Sequence, residues 1–245
     1  MTIRVFCCFY NEAPLIPFFL RHYAYADGIT AFVSRSVDDT RALLAADPRV
    51  TIIDAEMPDG IDDDLKIAWL NAAIATPTAE DTWYLVVDAD EFIFPPGDPT
   101  GASARAYLAS VPPHDGVLTA KLANVYRHAD DADLDPAFAP VVLQRRHGTS
   151  QGQKPIVLRA NRGYQLLPGN HYIVGMPAPS TTHAFDGAHW ANADPSFAVT
   201  RRIRDRKERI SQANRAKGHG WHHYKPTADD IAAELAAHLH DGAIL

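Results

Sequence analysis

The sequence predicts an α/β protein with a mostly parallel central sheet, helices on both faces and a more irregular C-terminal half. Three observations lead there. Short apolar runs alternate with segments of helical spacing as far as Phe94, which is the pattern of strand–helix–strand units. The runs are continuously apolar rather than alternating, as in strands buried on both faces. One of them, Trp83–Val87, ends directly in the acidic turn Asp88-Ala89-Asp90-Glu91, and open α/β sheets bind ligands beyond the carboxyl ends of their strands.

The elements follow in order. Ile3–Tyr10 is apolar and is followed by the turn-like Asn11-Glu12, as expected for a buried strand. Ala13–Ala26 places Leu15, Ile16, Phe19, His22 and Tyr23 at helical spacing and stops at Asp27-Gly28. Thr30–Val33 is the second strand. Asp38–Ala46 is a short helix whose acidic opening suits a helix N-terminus. Val50–Asp54, Asp63–Ala75 and Trp83–Val87 continue as strand, helix and strand. Pro95, Pro96 and Pro99 stop what comes next. Beyond them Ala102–Ser110 is expected as a helix, and Gly116–Val125, Val141–Leu143 and Ile156–Leu158 as strands. Phe197–Lys217 is expected as one long polar helix, and Thr227–His240 as a terminal one.

Composition narrows the function classes. The chain has 245 residues, 47% of them hydrophobic, which is ordinary for a globular domain. A net charge of −7 argues against a nucleic-acid partner, because neutralising phosphates needs surplus Lys and Arg. The two cysteines, Cys7 and Cys8, are adjacent in a strand and point to opposite faces, a poor geometry for a disulfide. They read as buried thiols of a reducing compartment. No apolar stretch suits an integral membrane segment, and Asn11 and Glu12 come too early for a secretory leader, so the expected location is the cytoplasm. Walker, dinucleotide and GxSxG signatures are missing from the sequence.

Asp88 and Asp90, spaced i, i+2 at a turn, offer oxygen ligands to a hard divalent cation, which would neutralise a departing diphosphate. The bland alternative is an acidic turn that caps the next element. Position after a buried strand favours the functional reading.

Phe9-Tyr10-Asn11-Glu12, His22-Tyr23 and Asp88-Ala89-Asp90-Glu91-Phe92 together resemble the family 2-type glycosyltransferases of the GT-A (nucleotide-diphospho-sugar transferase) fold. The match is to a bacterial branch with an Asn-Glu opening and a DxDEF metal motif. Lys154-Pro155-Ile156-Val157, Gly169-Asn170-His171 and His189-Trp190 occur in the order of that branch. The resemblance implies one domain over 1–225, with a nucleotide- and metal-binding half (1–95) and an acceptor-side half (96–225), then a helical extension (226–245). It implies transfer of a sugar from a nucleotide-sugar donor to a hydroxyl acceptor with inversion, assisted by Mn²⁺ or Mg²⁺. Asp90 would bind the metal directly, and Asp88 would reach the donor or the metal through water. Tyr10, Asn11 and Glu12 would line the nucleoside pocket, with Asn71 on the nucleotide side. The family's acidic base-reading residue is replaced around Ser34-Arg35-Ser36, so uridine is the default base and Ser34 stands in the reading position.

Several second-half residues are candidates. The resemblance implies a second-half histidine in the metal sphere, for which imidazole is suited. Among the 12 histidines His189 is the first choice because His189-Trp190 matches the branch, and His222 in the Gly218–Tyr224 loop is the second. The segment Gly218–Tyr224 reads as a loop able to close over phosphates. Lys154 reads equally as a diphosphate contact and as a strand-edge lysine. Tyr172 and Trp190 suit either a sugar platform or core packing. Asp186 is the candidate base. The basic run Arg201–Lys217 reads as a solvated helix face with i, i+4 partners. Two rivals stand beside the transferase: a non-catalytic nucleotide- or sugar-binding protein, and a nucleotidyltransferase.

Overall fold

Strand β1 (Thr2–Phe9) lies at the middle of the parallel half, between β2 (Gly28–Val33) and β4 (Thr82–Val86), and β3 (Val50–Asp54) pairs outside β2. All three pairings are parallel, as the continuous apolar runs predict, and β4 is buried along its whole length. The computed structural model describes residues 1–138, 140–145, 147–175, 178–180, 182–219 and 224–239. Among them, eight strands form one mixed α/β sheet in the order β3-β2-β1-β4-β7-β6-β10-β5. Its second half comprises β5 (Glu91–Phe94), β6 (Val117–Tyr126), β7 (His147–Arg159) and β10 (Ala184–Asn192). There β4–β7, β7–β6 and β10–β5 are antiparallel and β6–β10 is parallel. A small hairpin, β8 (Gln165–Leu166) with β9 (Ile173–Val174), stands apart from the sheet. No helix among the described residues is long and apolar enough to cross a membrane.

Helices α1 (Ile16–His22), α2 (Thr40–Ala45) and α3 (Asp63–Ala75) connect the parallel strands. Helix α1 is shorter than the sequence spacing suggests because Pro17 sits in its first turn, the place where a missing N–H costs least. The Asp62 carboxylate caps α3 by accepting from the amides of Asp64 and Leu65. Helix α4 (Ala104–Ser110) falls within its expected segment.

The His22-Tyr23 pair has a structural task. His22 Nε2 lies 2.9 Å from the Ile93 carbonyl oxygen, and Tyr23 Oη donates to the Glu91 carbonyl at 2.7 Å. Both groups are buried and hold the end of α1 against β5, the strand that follows the acidic turn. Phe19, Phe92 and Trp190 pack beside them. Trp190 is core, which settles its two sequence readings.

Two expected elements are different. Val141–Gln144 is a 3₁₀ turn rather than a strand, entered from the extended Pro140. The single helix expected over Phe197–Lys217 is broken into α5 (Pro195–Thr200), a π-helical turn (Arg201–Arg206), a 3₁₀ turn (Lys207–Arg209) and α6 (Gln212–Lys217). Ile210, extended, bridges to Ile61 at the break. Gly60 lets the chains meet, since a Cβ there would lie 2.0 Å from the Arg209 carbonyl oxygen. Helix α7 (Ala228–His238) opens with a Thr227–Asp230 capping box and packs Ile231 and Leu235 on Tyr126 and Ala198.

Burial lowers the His22 pKa to about 4, so the folded protein keeps this ring neutral. Below about 6.5 the unfolded chain takes up a proton that the folded chain refuses, so stability falls with pH between 6.5 and 4. The expected loss between pH 7 and pH 5 is about 2 kcal/mol. Urea unfolding at both pH values checks it, and His22→Phe should remove that part of the slope. An unchanged slope in the variant would sink this account.

Candidate active site

The carboxyl ends of β1, β2 and β4 open into a cavity of about 760 Å³, within the range of small-ligand sites. Tyr10 and Glu12 line it after β1, Ser34 after β2 and Asp88 after β4. Lys154 from β7, Asn124 from β6 and His189 from β10 form the opposite wall, with His171 and Tyr172 beside them.

The acidic turn is tightly built. The Glu91 amide donates to the Asp88 carbonyl at 3.0 Å, and the Asp88 amide donates to Glu91 Oε2 at 3.0 Å. The two aspartates then go separate ways. Asp88 faces the cavity, where Lys66 of α3 binds Oδ1 and Lys154 Nζ lies 3.4 Å from Oδ2. Lys154 also binds Glu91 Oε1 at 2.5 Å. Burial pushes the Asp88 carboxyl up, but the Lys66 and Lys154 ammonium groups outweigh it and hold the pKa far below the carboxylate range.

Asp90 is fully buried and is not part of the cavity wall. Its Oδ2 meets Arg201 Nη1 at 2.6 Å, Arg206 Nη2 at 3.3 Å and His189 Nε2 at 3.2 Å. Against the cost of burial, Arg201, His189 and Arg206 keep it ionised. Arg201 is only 4% exposed. It spans Asp90 and Glu12, whose carboxylate accepts from Arg201 Nε and Nη2 at 2.7–3.0 Å. Sequence spacing reads this arginine as a solvated one. The structure overturns that: Arg201 and Asp205 are both buried within the π-helical turn, a local distortion often found at functional sites. Asn11 completes the join by donating to Asp205 Oδ1 at 2.9 Å and accepting from the Val37 amide at 2.9 Å.

The expected residues divide accordingly. Tyr10, Glu12, Ser34, Asp88, Lys154 and His189 share the cavity. Lys154 is no edge residue, because β7 lies between β4 and β6. Asn11 faces a smaller neighbouring cavity and ties the loops together. Asn71 does not line the site either. Its amide exchanges hydrogen bonds with the Leu166 backbone at 2.8 and 3.1 Å and pins β8 to α3. Asp186 pairs opposite Phe94, three residues before His189 on β10. An odd offset in a strand reverses the face, and Asp186 is not among the residues that line the cavity. His222 lies outside the described residues. Lys66 and Glu234 line the site without having been singled out in the sequence, and Arg206 and Asp205 line it although the sequence places them on a solvated helix face. No spacing rule marks them, since each comes from an element remote from the acidic turn.

The donor set does not fit a resident divalent cation. Among the described residues no group of three or more His, Cys, Asp or Glu side chains is placed to hold one. Asp88 and Asp90 are occupied by lysine, arginine and histidine nitrogens. Asp90 Oδ1 has no hydrogen-bond partner, but it is sealed from the cavity. Direct metal ligation by Asp90 is therefore not what this geometry offers.

No protein-family model and no curated protein sequence matches the chain. Among solved structures it is similar to S. aureus TarS residues 1–349, with 17% identity, 55% of this chain and 38% of that chain covered, and a TM-score of 0.34. It is similar to glucosyl-3-phosphoglycerate synthase from Mycobacterium tuberculosis in complex with Mn²⁺, UDP and phosphoglyceric acid, with 17% identity, 50% and 43% coverage and a TM-score of 0.33. A third is 4-diphosphocytidyl-2C-methyl-D-erythritol synthase, with 12% identity, 64% and 75% coverage and a TM-score of 0.36. The chain thus spans less than half the length of the first two. At such scores the likeness assigns no residue a role, and the site stands on its own geometry.

Replacing Arg201 by Met leaves the Glu12 and Asp90 carboxylates buried without their shared partner. The expected loss of stability is about 3–5 kcal/mol, read by chemical unfolding. Arg206→Met, at a more exposed position, should cost no more than about 1 kcal/mol. Equal small losses in both would show that Arg201 does not hold the turn in place.

Proposed function

We propose that this chain transfers a sugar from a nucleotide-diphosphate donor to a hydroxyl acceptor. One observation carries the reading: Lys66, Lys154, Arg201 and Arg206 converge on the Asp88–Glu91 turn at the carboxyl edge of the parallel strands. A group of cations at that edge suits a diphosphate, which must be held in the ground state and stabilised further as it leaves. The family 2-type resemblance of the Asn11-Glu12 and Asp88–Phe92 motifs points the same way.

Each wall then has a task. Tyr10 and Ser34, at the ends of β1 and β2, form the nucleoside side. Arg209 lies over the Tyr10 ring at 3.4 Å from its centroid, so a planar base has an aromatic and a guanidinium group at its entrance. Asp88 accepts from hydroxyls of the ribose or the transferred sugar. The acceptor enters from the wall of His171, Tyr172 and Asn124. Its oxygen attacks the anomeric carbon, the bond from that carbon to the diphosphate oxygen breaks, and the configuration inverts in this single displacement. The acceptor proton passes to His171. Burial, and then the nearby Lys154 ammonium, lower its pKa, so the ring is neutral and ready to accept a proton at neutral pH.

The test is release of nucleoside diphosphate from a panel of UDP-, GDP- and dTDP-sugars, with UDP-sugars first. Lys154→Met is expected to slow release by about 100-fold or more. Pyrophosphate formed from a nucleoside triphosphate and a sugar phosphate would instead make the chain a nucleotidyltransferase. Binding without turnover of any donor would make it a binding protein. The rate should fall on acidification with a midpoint below the ordinary imidazole value of about 6.5, and His171→Gln should abolish that limb. A limb that survives the substitution removes His171 from the role of base.

A further inference from the structure

Charge around the acidic turn is already balanced before any ligand arrives. Glu12, Asp88, Asp90 and Glu91 meet Lys66, Lys154, Arg201 and Arg206 in two adjoining groups, Lys66–Asp88–Lys154–Glu91 and Glu12–Arg201–Asp90–Arg206. A hard divalent cation needs several oxygen ligands and a net negative site. To bind Asp88 it would have to displace two ammonium groups. To bind Asp90 it would have to open a sealed pocket and displace two guanidinium groups, and in either case it would rest among like charges.

The cavity is arranged for the opposite ligand. The whole chain carries 30 Asp and Glu against 23 Lys and Arg. The cavity wall reverses this balance, with six Lys and Arg against five Asp and Glu. Asp90 and Glu91 contribute their charge from behind the wall, while the cations they hold line it. Lys66 and Arg206 each pair with one carboxylate and Lys154 and Arg201 each with two, which leaves every one of them at least one further N–H donor for phosphate oxygens.

Four of the six wall cations, Arg201, Arg202, Arg206 and Arg209, arrive on the segment Pro195–Lys217, which is tied to Ile61 and Asp63 beside the cavity. The Ile61 amide donates to the Arg209 carbonyl at 2.5 Å, and the Ser211 amide donates to the Ile61 carbonyl at 3.0 Å. The Asn214 side chain accepts from the Asp63 amide at 3.0 Å and donates to Asp63 Oδ2 at 3.1 Å. Arginines on such a fastened strap are held in place before the ligand binds, so little ordering cost falls on binding.

We propose that Lys66, Lys154, Arg201 and Arg206 bind the donor diphosphate directly, taking the place that a divalent cation would otherwise fill. This rests on the nucleotide-sugar reading above and adds to it that binding is independent of metal. Asp88 then acts as a positioning residue that keeps Lys66 and Lys154 together until phosphate oxygens share them.

Isothermal titration of the full chain with UDP, GDP, CDP and inorganic pyrophosphate, in EDTA and in Mn²⁺, tests this. At least one ligand should bind in EDTA with a dissociation constant within about threefold of that in Mn²⁺, and binding should weaken steeply with salt. Lys66→Met and Lys154→Met should each weaken it by about tenfold. Asp88→Asn should leave pyrophosphate binding in EDTA within about tenfold of the parent, because Lys66 and Lys154 keep their charge, whereas loss of a metal ligand would abolish binding. Circular dichroism of each variant separates loss of binding from loss of fold. Manganese electron paramagnetic resonance, read without nucleotide, should show no depletion of the free-ion signal by the protein. Binding only in Mn²⁺, or a depleted signal that Asp88→Asn restores, overturns the metal-independent site and leaves the transferase reading standing. No binding of any ligand under either condition overturns both.

Discussion

Asp90 is a carboxylate with no access to solvent, and a charge in that position must be paired. The pairing organises the rest of the site. Arg201 is brought in from a segment remote in sequence and is shared with Glu12, which joins the end of β1 to the turn after β4. Within the π-helical turn after α5, Arg201 and Asp205 are buried and Arg206, five residues after Arg201, also reaches Asp90. A regular helix would separate such side chains by 100° per residue and turn some of them to water. The broken helix and the buried ion pair thus occur on the same residues.

A second constraint comes from the other side of the turn. His22 and Tyr23 hold β5 by its backbone carbonyls, and Phe19, Phe92 and Trp190 fill the space between. The turn Asp88–Glu91 is therefore fixed at both of its ends, by β4 in the sheet and by this latch. Rigid support matters because a group of like charges is useful only while its members cannot relax apart. Carboxylates behind the wall serve the same end, since each cation has a counter-charge that holds it in place and leaves its other donors free.

The two halves of the sheet contribute different kinds of residue. The parallel half supplies the ends of β1, β2 and β4 and, through α3, Lys66. The antiparallel half supplies Lys154, Asn124 and His189 from neighbouring strands β7, β6 and β10. Both halves are joined at β4 and β7, so Asp88 and Lys154 come from directly paired strands. Cys8, which lines the cavity between these groups, is kept a neutral thiol by burial, with its pKa pushed up to about 12.

The N-terminal half was legible because its strands are buried on both faces, and continuous apolar runs such as Ile3–Phe9 admit few other readings. The acidic turn was legible for a related reason: Asp88 and Asp90 adjoin the strand that positions them. The second half was harder to read. In β7 the polar residues from His147 to Lys154 are strand only because β6 is there to pair with them. Asn71 and Asp186 have suitable chemistry but face β8 and the far side of β10, and residue type carries no information about direction. Arg201 is the clearest case. In sequence it is one arginine of a basic run, and whether it meets water or two carboxylates depends on where Glu12 and Asp90 lie in space. The sequence by itself determined the parallel strands and the place of the acidic turn, because burial and adjacency are local properties. Only the tertiary structure decided which charges meet at that turn, because electrostatic pairing depends on distance through space and not along the chain.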